Sequence, residues 1–151
     1  MSIEYMYGWP LRRVHMPNGD QLVLMYCETG DEPQLELHKM NHNVYRRNAQ
    51  GEILWQVQRN DSNHPPGWWD ELHRQARAEG LDGAREPFMR IWVENADGTF
   101  QSEPDGRTPA MVQTWTSGCT LHLDGSAYQH YILDPDTGIA KNVTKLPVRP
   151  W

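Results

Sequence analysis

The feature that most constrains this chain is a glycine-bearing turn that recurs between short apolar runs. Asn18-Gly19 separates Arg13-Val14-His15-Met16 from Gln21-Leu22-Val23-Leu24-Met25-Tyr26. Asn48-Ala49-Gln50-Gly51 separates Asn43-Val44-Tyr45-Arg46-Arg47 from Glu52-Ile53-Leu54-Trp55-Gln56-Val57. Asp97-Gly98, Asp124-Gly125 and Asp134-Pro135-Asp136-Thr137-Gly138 punctuate the second half in the same way. Apolar runs of this length bounded by such turns are the pattern of β-hairpins. Asn-Gly accepts positive φ cheaply, so Asn18-Gly19 is expected to form a type I′ turn. Its second arm is apolar on both faces, which predicts a central strand covered from both sides.

Further strands are expected over 34–40, Phe88 to Glu94, 110–116, 119–123, Ala127 to Leu133 and about 139–145. Residues 101–109, with Pro104, Gly106 and Pro109, read as a loop. The tail from Lys145 to Trp151 is too proline-rich for a central strand. Ile53, Trp55 and Val57 share one face of their strand, which makes Trp55 a core residue.

One helix interrupts the strands. Pro66 suits a first helical position, and Asp70 and Glu71 suit the positive end of the helix dipole. Trp69, Leu72 and Ala76 fall at helical spacing, Asp70 is placed to pair with Arg74, and Gly80 is a terminator. The helix is expected over 67–79. The fold class that follows is α+β and mainly antiparallel β, hairpin-built, with that one helix. At 151 residues the expectation is a single domain over 1–151.

Composition narrows function by exclusion. The net charge is -6. Residues 61–110 carry 5 basic and 10 acidic groups, against 6 and 7 in 1–60 and 3 and 3 in 111–151, so the excess is local. No basic patch suits nucleic acid. No run approaches the roughly 20 apolar residues of a membrane span. The start, with Glu4 and Pro10, lacks the apolar centre of a secretion signal, so the cytoplasm is expected. Cys27 and Cys119 sit in apolar patterns and read as small buried hydrophobes, not a disulfide framework.

Two segments look alike. Asn43 to Val57 runs aromatic strand, polar turn with glycine, then a strand bearing tryptophan; Ser126 to Ile139 repeats the first half of that plan. Both resemble hairpins in the blades of quinoprotein-type β-propellers. A closed propeller needs roughly four to eight blades of about 40–45 residues, so this chain is too short for one. The whole layout is similar to small uncharacterised bacterial proteins, some of which accompany toxins as immunity proteins. The shared pattern is the Val44–Val57 hairpin, a helix-bearing insert, Pro87-Phe88, an Asp-Gly turn and the closing Asp134–Gly138 turn. That resemblance implies a protein-binding role.

Catalytic and metal constellations are weak. Cys119, His122 and Asp124 suggest a nucleophile and base, but on an extended strand Cys119 and His122 face opposite ways. His38 and His42 would suit zinc on a helix. On the expected strand they stand apart unless His42 lies in a turn. His64 and His73 flank the helix start. No catalytic residue, metal ligand or cofactor is expected.

In Phe88 to Glu94, Met89, Ile91 and Val93 share one face and Phe88, Arg90, Trp92 and Glu94 the other. Trp and Arg together suit a binding hot spot, and burial under Trp68 or Trp69 suits them equally. The leading expectation is a non-catalytic protein-binding module, immunity-like, with a basic protein partner. Its surface would be Asp70, Glu71, Glu79, Trp92 and Glu94, steered by charge. The alternatives are a sugar- or small-ligand-binding β domain, since the chain carries seven Trp, a metal-dependent or Cys/His hydrolase, and a structural subunit of a larger assembly.

Overall fold

The computed structural model describes residues 9–26, 37–102, 112–126 and 128–145. Cys27, residues 103–109 of the loop expected over 101–109, the first part of the 34–40 and 110–116 strands, the start of the chain and the proline-rich tail lie outside the described residues. The chain runs β1 (Trp9–His15), β2 (Gln21–Tyr26), α1 (Leu37–Asn41), β3 (Val44–Arg47), β4 (Ile53–Gln56), β5 (Gln58–Asn60), α2 (Trp68–Ala78), β6 (Phe88–Glu94), β7 (Gln113–Thr114), β8 (Thr120–Gly125), β9 (His130–Leu133) and β10 (Ile139–Asn142). The fold is α+β, mostly β.

The strands form two five-stranded sheets, ordered β4-β3-β2-β1-β7 and β5-β10-β9-β8-β6. Hairpins make most of the pairing, and β1–β7 and β5–β10 are parallel, so both sheets are mixed. The inner faces share one core. Val14, Leu22, Leu24 and Val44 of the first sheet meet Phe88, Ile91, Val93, Leu121, Leu123, Tyr131 and Leu133 of the second. Val23, Met25 and Tyr45 make a smaller cluster on the first sheet's far side, so β2 is buried on both faces. Trp55 packs, partly buried, against the main core.

The turns correct one detail. Met16 N–H bonds the Asp20 carbonyl and Gly19 N–H the Met16 carbonyl. The same pattern closes Asn48–Glu52 and Asn95–Thr99. In each, only the glycine is left-handed, at φ 88, 86 and 88. This is the three-residue loop in which a type I turn is followed by a left-handed residue, not a type I′ turn. Pro17 explains the choice, because its fixed φ suits the second position of a type I turn.

Five further expectations are corrected. The 34–40 strand is wrong where it is described: Leu37–Asn41 is a one-turn helix that buries Met40 and Asn41. The 119–123 strand runs on to Gly125, so the turn expected at Asp124-Gly125 falls after it, and Gly125 N–H bonds the Gln129 carbonyl. The run Glu52–Val57 does not stop at one strand: the chain passes through buried Val57, leaves the first sheet and continues as β5 of the second. The alternation in β6 is broken by a register shift between Phe88 and Arg90, so Phe88 joins Ile91 and Val93 in the core and Met89 is exposed. The helix expected over 67–79 is α2. None of its residues is fully buried, and Arg74 pairs with Glu71 rather than Asp70 because its fork reaches both Glu71 oxygens.

Candidate functional site

The crossing at Val57 brings β5 beside α1 and α2, and the three enclose a cavity of about 420 Å3. One wall is α1 and the residue after it, with Leu37, His38, Asn41 and His42; the opposite wall is α2, with Trp69 and His73. Arg59 and Asp61, at and beyond the end of β5, form the floor. Gly83 permits the close approach of the following loop: a Cβ there would sit 2.4 Å from Leu37 and 2.9 Å from His73 Nδ1.

The floor is a closed hydrogen-bond network. Arg59 donates to the Asn41 carbonyl at 2.7 Å, to the Tyr131 hydroxyl at 3.0 Å and to the Glu86 carbonyl. Its guanidinium lies over Phe88, 4.1 Å from the ring centre. The Tyr131 hydroxyl donates to Asp61 Oδ1 at 2.7 Å, Asn142 donates to the same oxygen, and Trp69 Nε1 donates to Asp61 Oδ2 at 2.7 Å. Burial pushes the Tyr131 phenol up, against the pull of Arg59, which keeps it a donor. Burial pushes Arg59 down, yet a guanidinium stays charged in a protein. The Tyr131 hydroxyl therefore links the guanidinium to the Asp61 side chain.

The histidine edges have fixed tautomers. His42 Nδ1 lies 2.7 Å from the His38 carbonyl, which can only accept, so Nδ1 holds the proton and Nε2 is a lone-pair acceptor. Burial holds the His42 pKa down at about 4, so the ring is neutral at neutral pH. His73 Nδ1 accepts the Ala84 N–H at 2.9 Å, so the neutral ring carries its proton on Nε2. The site thus offers one acceptor and one donor beside the apolar surfaces of Leu37 and Trp69. A second cavity of about 390 Å3 shares Asp61 and Trp69 and continues along Pro65, Pro66 and Trp68.

His38 and His42 do come together, because they lie on a helical turn and not on a strand. Their rings stack at 4.0 Å and 17°. In-plane lone pairs of stacked rings run side by side, which is a poor arrangement for one shared metal ion. Among the described residues no group of three or more His, Cys, Asp or Glu side chains is placed to hold a metal. Cys119 precedes β8 and packs toward the core, while both ring nitrogens of His122 are engaged by Glu94 and His130. The two side chains face opposite ways, as alternation requires.

The expected partner surface divides. Asp70, Glu71 and Glu79 are exposed on or just after α2, but Glu71 is held by Arg74 and Gln75, and the Arg74 hydrogen bond brings its carboxyl down to about 2. Trp92 is only 6% exposed, and its ring lies 5.1 Å from that of His122 and nearly parallel to it. It is covered by the histidines beside it. Glu94 accepts from His122 Nε2 at 2.7 Å.

Sequence reasoning passed over Arg59, Asp61 and Tyr131. Arg59 is 72 residues from Tyr131, and no local spacing links them. One signal was present: an arginine and an aspartate two residues apart at the end of a run that continues past a buried valine. No family model, no curated protein and no solved structure matches this chain. No helix among the described residues is long and apolar enough to cross a membrane.

Proposed function

We propose that this chain is a small-ligand-binding β domain whose ligand is neutral and polar, of the size and character of a sugar. The observation that carries the reading is that Arg59 and Asp61, in the floor of the 420 Å3 cavity, are already engaged with Tyr131, Trp69 and backbone, while burial keeps the His42 edge neutral. A charged ligand would have to break those bonds to reach either group. A neutral ligand would find apolar walls in Leu37 and Trp69 with hydrogen-bonding edges in His42 and His73. Binding cavities of about 300–1,000 Å3 commonly combine apolar lining with a few placed polar groups.

Intrinsic tryptophan fluorescence, titrated with a panel of neutral mono- and disaccharides and small polyols, tests this. The expected result is a saturable change with at least one compound, weakened about tenfold or more in His42→Ala and in Trp69→Phe. Flat titrations across the panel, or affinities unaltered in both variants, would sink the reading.

A second reading rests on the exposed carboxylates of α2. Asp70 and Glu79 are open to solvent, in the chain segment that carries most of the negative charge, and the layout resembles immunity proteins. This reading makes the chain a cytoplasmic, non-catalytic inhibitor of a basic protein partner. Capture of such a partner should weaken between low and high salt and in Asp70→Asn/Glu79→Gln. Capture indifferent to both would count against it.

A further inference from the structure

The outer face of the second sheet carries a second constellation, away from the cavity. Strand register sets it out. Arg90 and Trp92 of β6 stand opposite Asp124 and His122 of β8, and His130 of β9 stands opposite Asp124 on the other side. Glu94 and His130 are therefore the two diagonal neighbours of His122 on one face. The side chains form a chain: Glu94 to His122 Nε2 at 2.7 Å, His122 Nδ1 to His130 Nε2 at 2.9 Å, His130 Nδ1 to Asp124 at 2.8 Å, with Arg90 holding the other Asp124 oxygen.

Each ring turns its outer nitrogen to a carboxylate and its inner nitrogen to the other ring, so His122 Nδ1 and His130 Nε2 face one another. The rings are 29° from parallel, with centroids 5.0 Å apart against 2.9 Å between the nitrogens, so they meet edge to edge with both nitrogens between them, unlike the closer His38–His42 pair at 4.0 Å.

We infer that His122 Nδ1 and His130 Nε2 form a two-imidazole site for a divalent transition metal of the copper or nickel type, with Glu94 and Asp124 orienting the two rings. Metal-binding histidines almost always give their other N–H to a carboxylate, carbonyl or water, and here both do. At metal–nitrogen distances of about 2.0–2.1 Å, nitrogens 2.9 Å apart subtend about 90° at the metal. That is the angle between neighbouring ligands in square-planar or octahedral sites. A tetrahedral zinc site would need the nitrogens about 3.3–3.4 Å apart. Both geometry and the ordinary affinity order favour Cu2+ over Zn2+. The site has two protein ligands, so solvent completes the coordination. His130, with 31% of its side chain exposed, leaves an entry side, and each ring turns its lone pair off the line between the nitrogens to meet an ion placed there.

Cu2+ titration of the intact chain near pH 7.5 tests this by three readouts. Expected are one equivalent bound, an electron paramagnetic resonance spectrum with hyperfine structure from two nitrogens, and quenching of Trp92, whose ring lies 5.1 Å from His122. His122→Ala and His130→Ala should each lose affinity by about 100-fold, Glu94→Gln by about tenfold, and Trp92→Phe should lose the quench while keeping the spectrum. His42→Ala, in the separate cavity, should bind as the unaltered chain does. Circular dichroism confirms folding; if His122→Ala does not fold, half-exposed His130→Ala and Glu94→Gln decide the matter. A chain that binds no stoichiometric copper, or binds it equally well in both histidine variants, overturns the inference and leaves a hydrogen bond between the rings.

Discussion

Asn43 and Phe88, 45 residues apart, are joined by a reciprocal pair of hydrogen bonds: the Asn43 amide donates to the Phe88 carbonyl and accepts the Phe88 N–H, both at 2.9 Å. The same amide nitrogen donates to the Met25 carbonyl at 2.8 Å. One buried side chain thereby ties the hairpin sheet to the first residue of β6. Removing it strands three backbone groups in the interior. Asn43→Ala should lower unfolding stability by roughly 2–4 kcal/mol, since each stranded buried group costs about 1–3 kcal/mol and some regain water. Urea denaturation checks this; a loss under about 1 kcal/mol would show that the joint is dispensable.

Gly138 lies face to face with Trp55. Its φ is +77°, and a Cβ there would fall 2.6 Å from Trp55 Cδ2. The indole cannot easily yield, because Trp55 Nε1 is bonded to the Pro135 carbonyl at 2.8 Å, which also accepts from Arg46. Gly138→Ala should therefore cost roughly 1–3 kcal/mol. In a Trp55→Leu background the same change should cost less, and the difference measured in a double-mutant cycle reads out the clash. Equal costs in the two backgrounds would mean that backbone strain alone is responsible.

Burial holds His42 at about 4 in the folded chain, against 6.5 ordinarily. Between those values the unfolded chain binds more protons at this position than the folded one. The contribution of His42 to stability is thus complete above about pH 6.5 and is lost as pH falls toward 4. His42→Gln should flatten the fall in stability over that window by about 1–2 kcal/mol, allowing for the ring's partial exposure. Denaturation midpoints at pH 4.5 and 7 in both chains measure it; parallel slopes would refute the assignment.

Arg59 is a fork with three separate acceptors, spread over the Asn41 and Glu86 carbonyls and the Tyr131 hydroxyl. A lysine keeps the charge but cannot span them or lie flat on Phe88. Arg59→Lys should cost roughly 2–3 kcal/mol and loosen the cavity floor. Thermal unfolding, together with the ligand titrations, checks both effects. A neutral Arg59→Lys would mean that charge alone holds the floor.

Much of the scaffold was legible along the chain. Period-two alternation and glycine-bearing turns located β1–β2, β3–β4, β6 and β9–β10, and proline with acidic residues located α2. What local pattern misread has physical causes. One helical turn at Leu37–Asn41 is too short to establish a period. A single register shift after Phe88 moves every following side chain in β6 to the other face, so alternation counted from Phe88 misplaces it relative to Ile91 and Val93. The strand through Val57 changes sheets without a turn residue to mark the passage.

Alternation and turn chemistry act between neighbours, so the sequence by itself determined the hairpins, the helix α2 and the opposed faces of Cys119 and His122. Both candidate sites belong to the tertiary structure. Arg59, Asp61 and Tyr131 meet only because β5 crosses to the second sheet, and His122 meets His130 and Glu94 only through the pairing of three strands. Those contacts depend on strand order and register, which are set by how two apolar faces close on one core, and no short stretch of sequence carries that information.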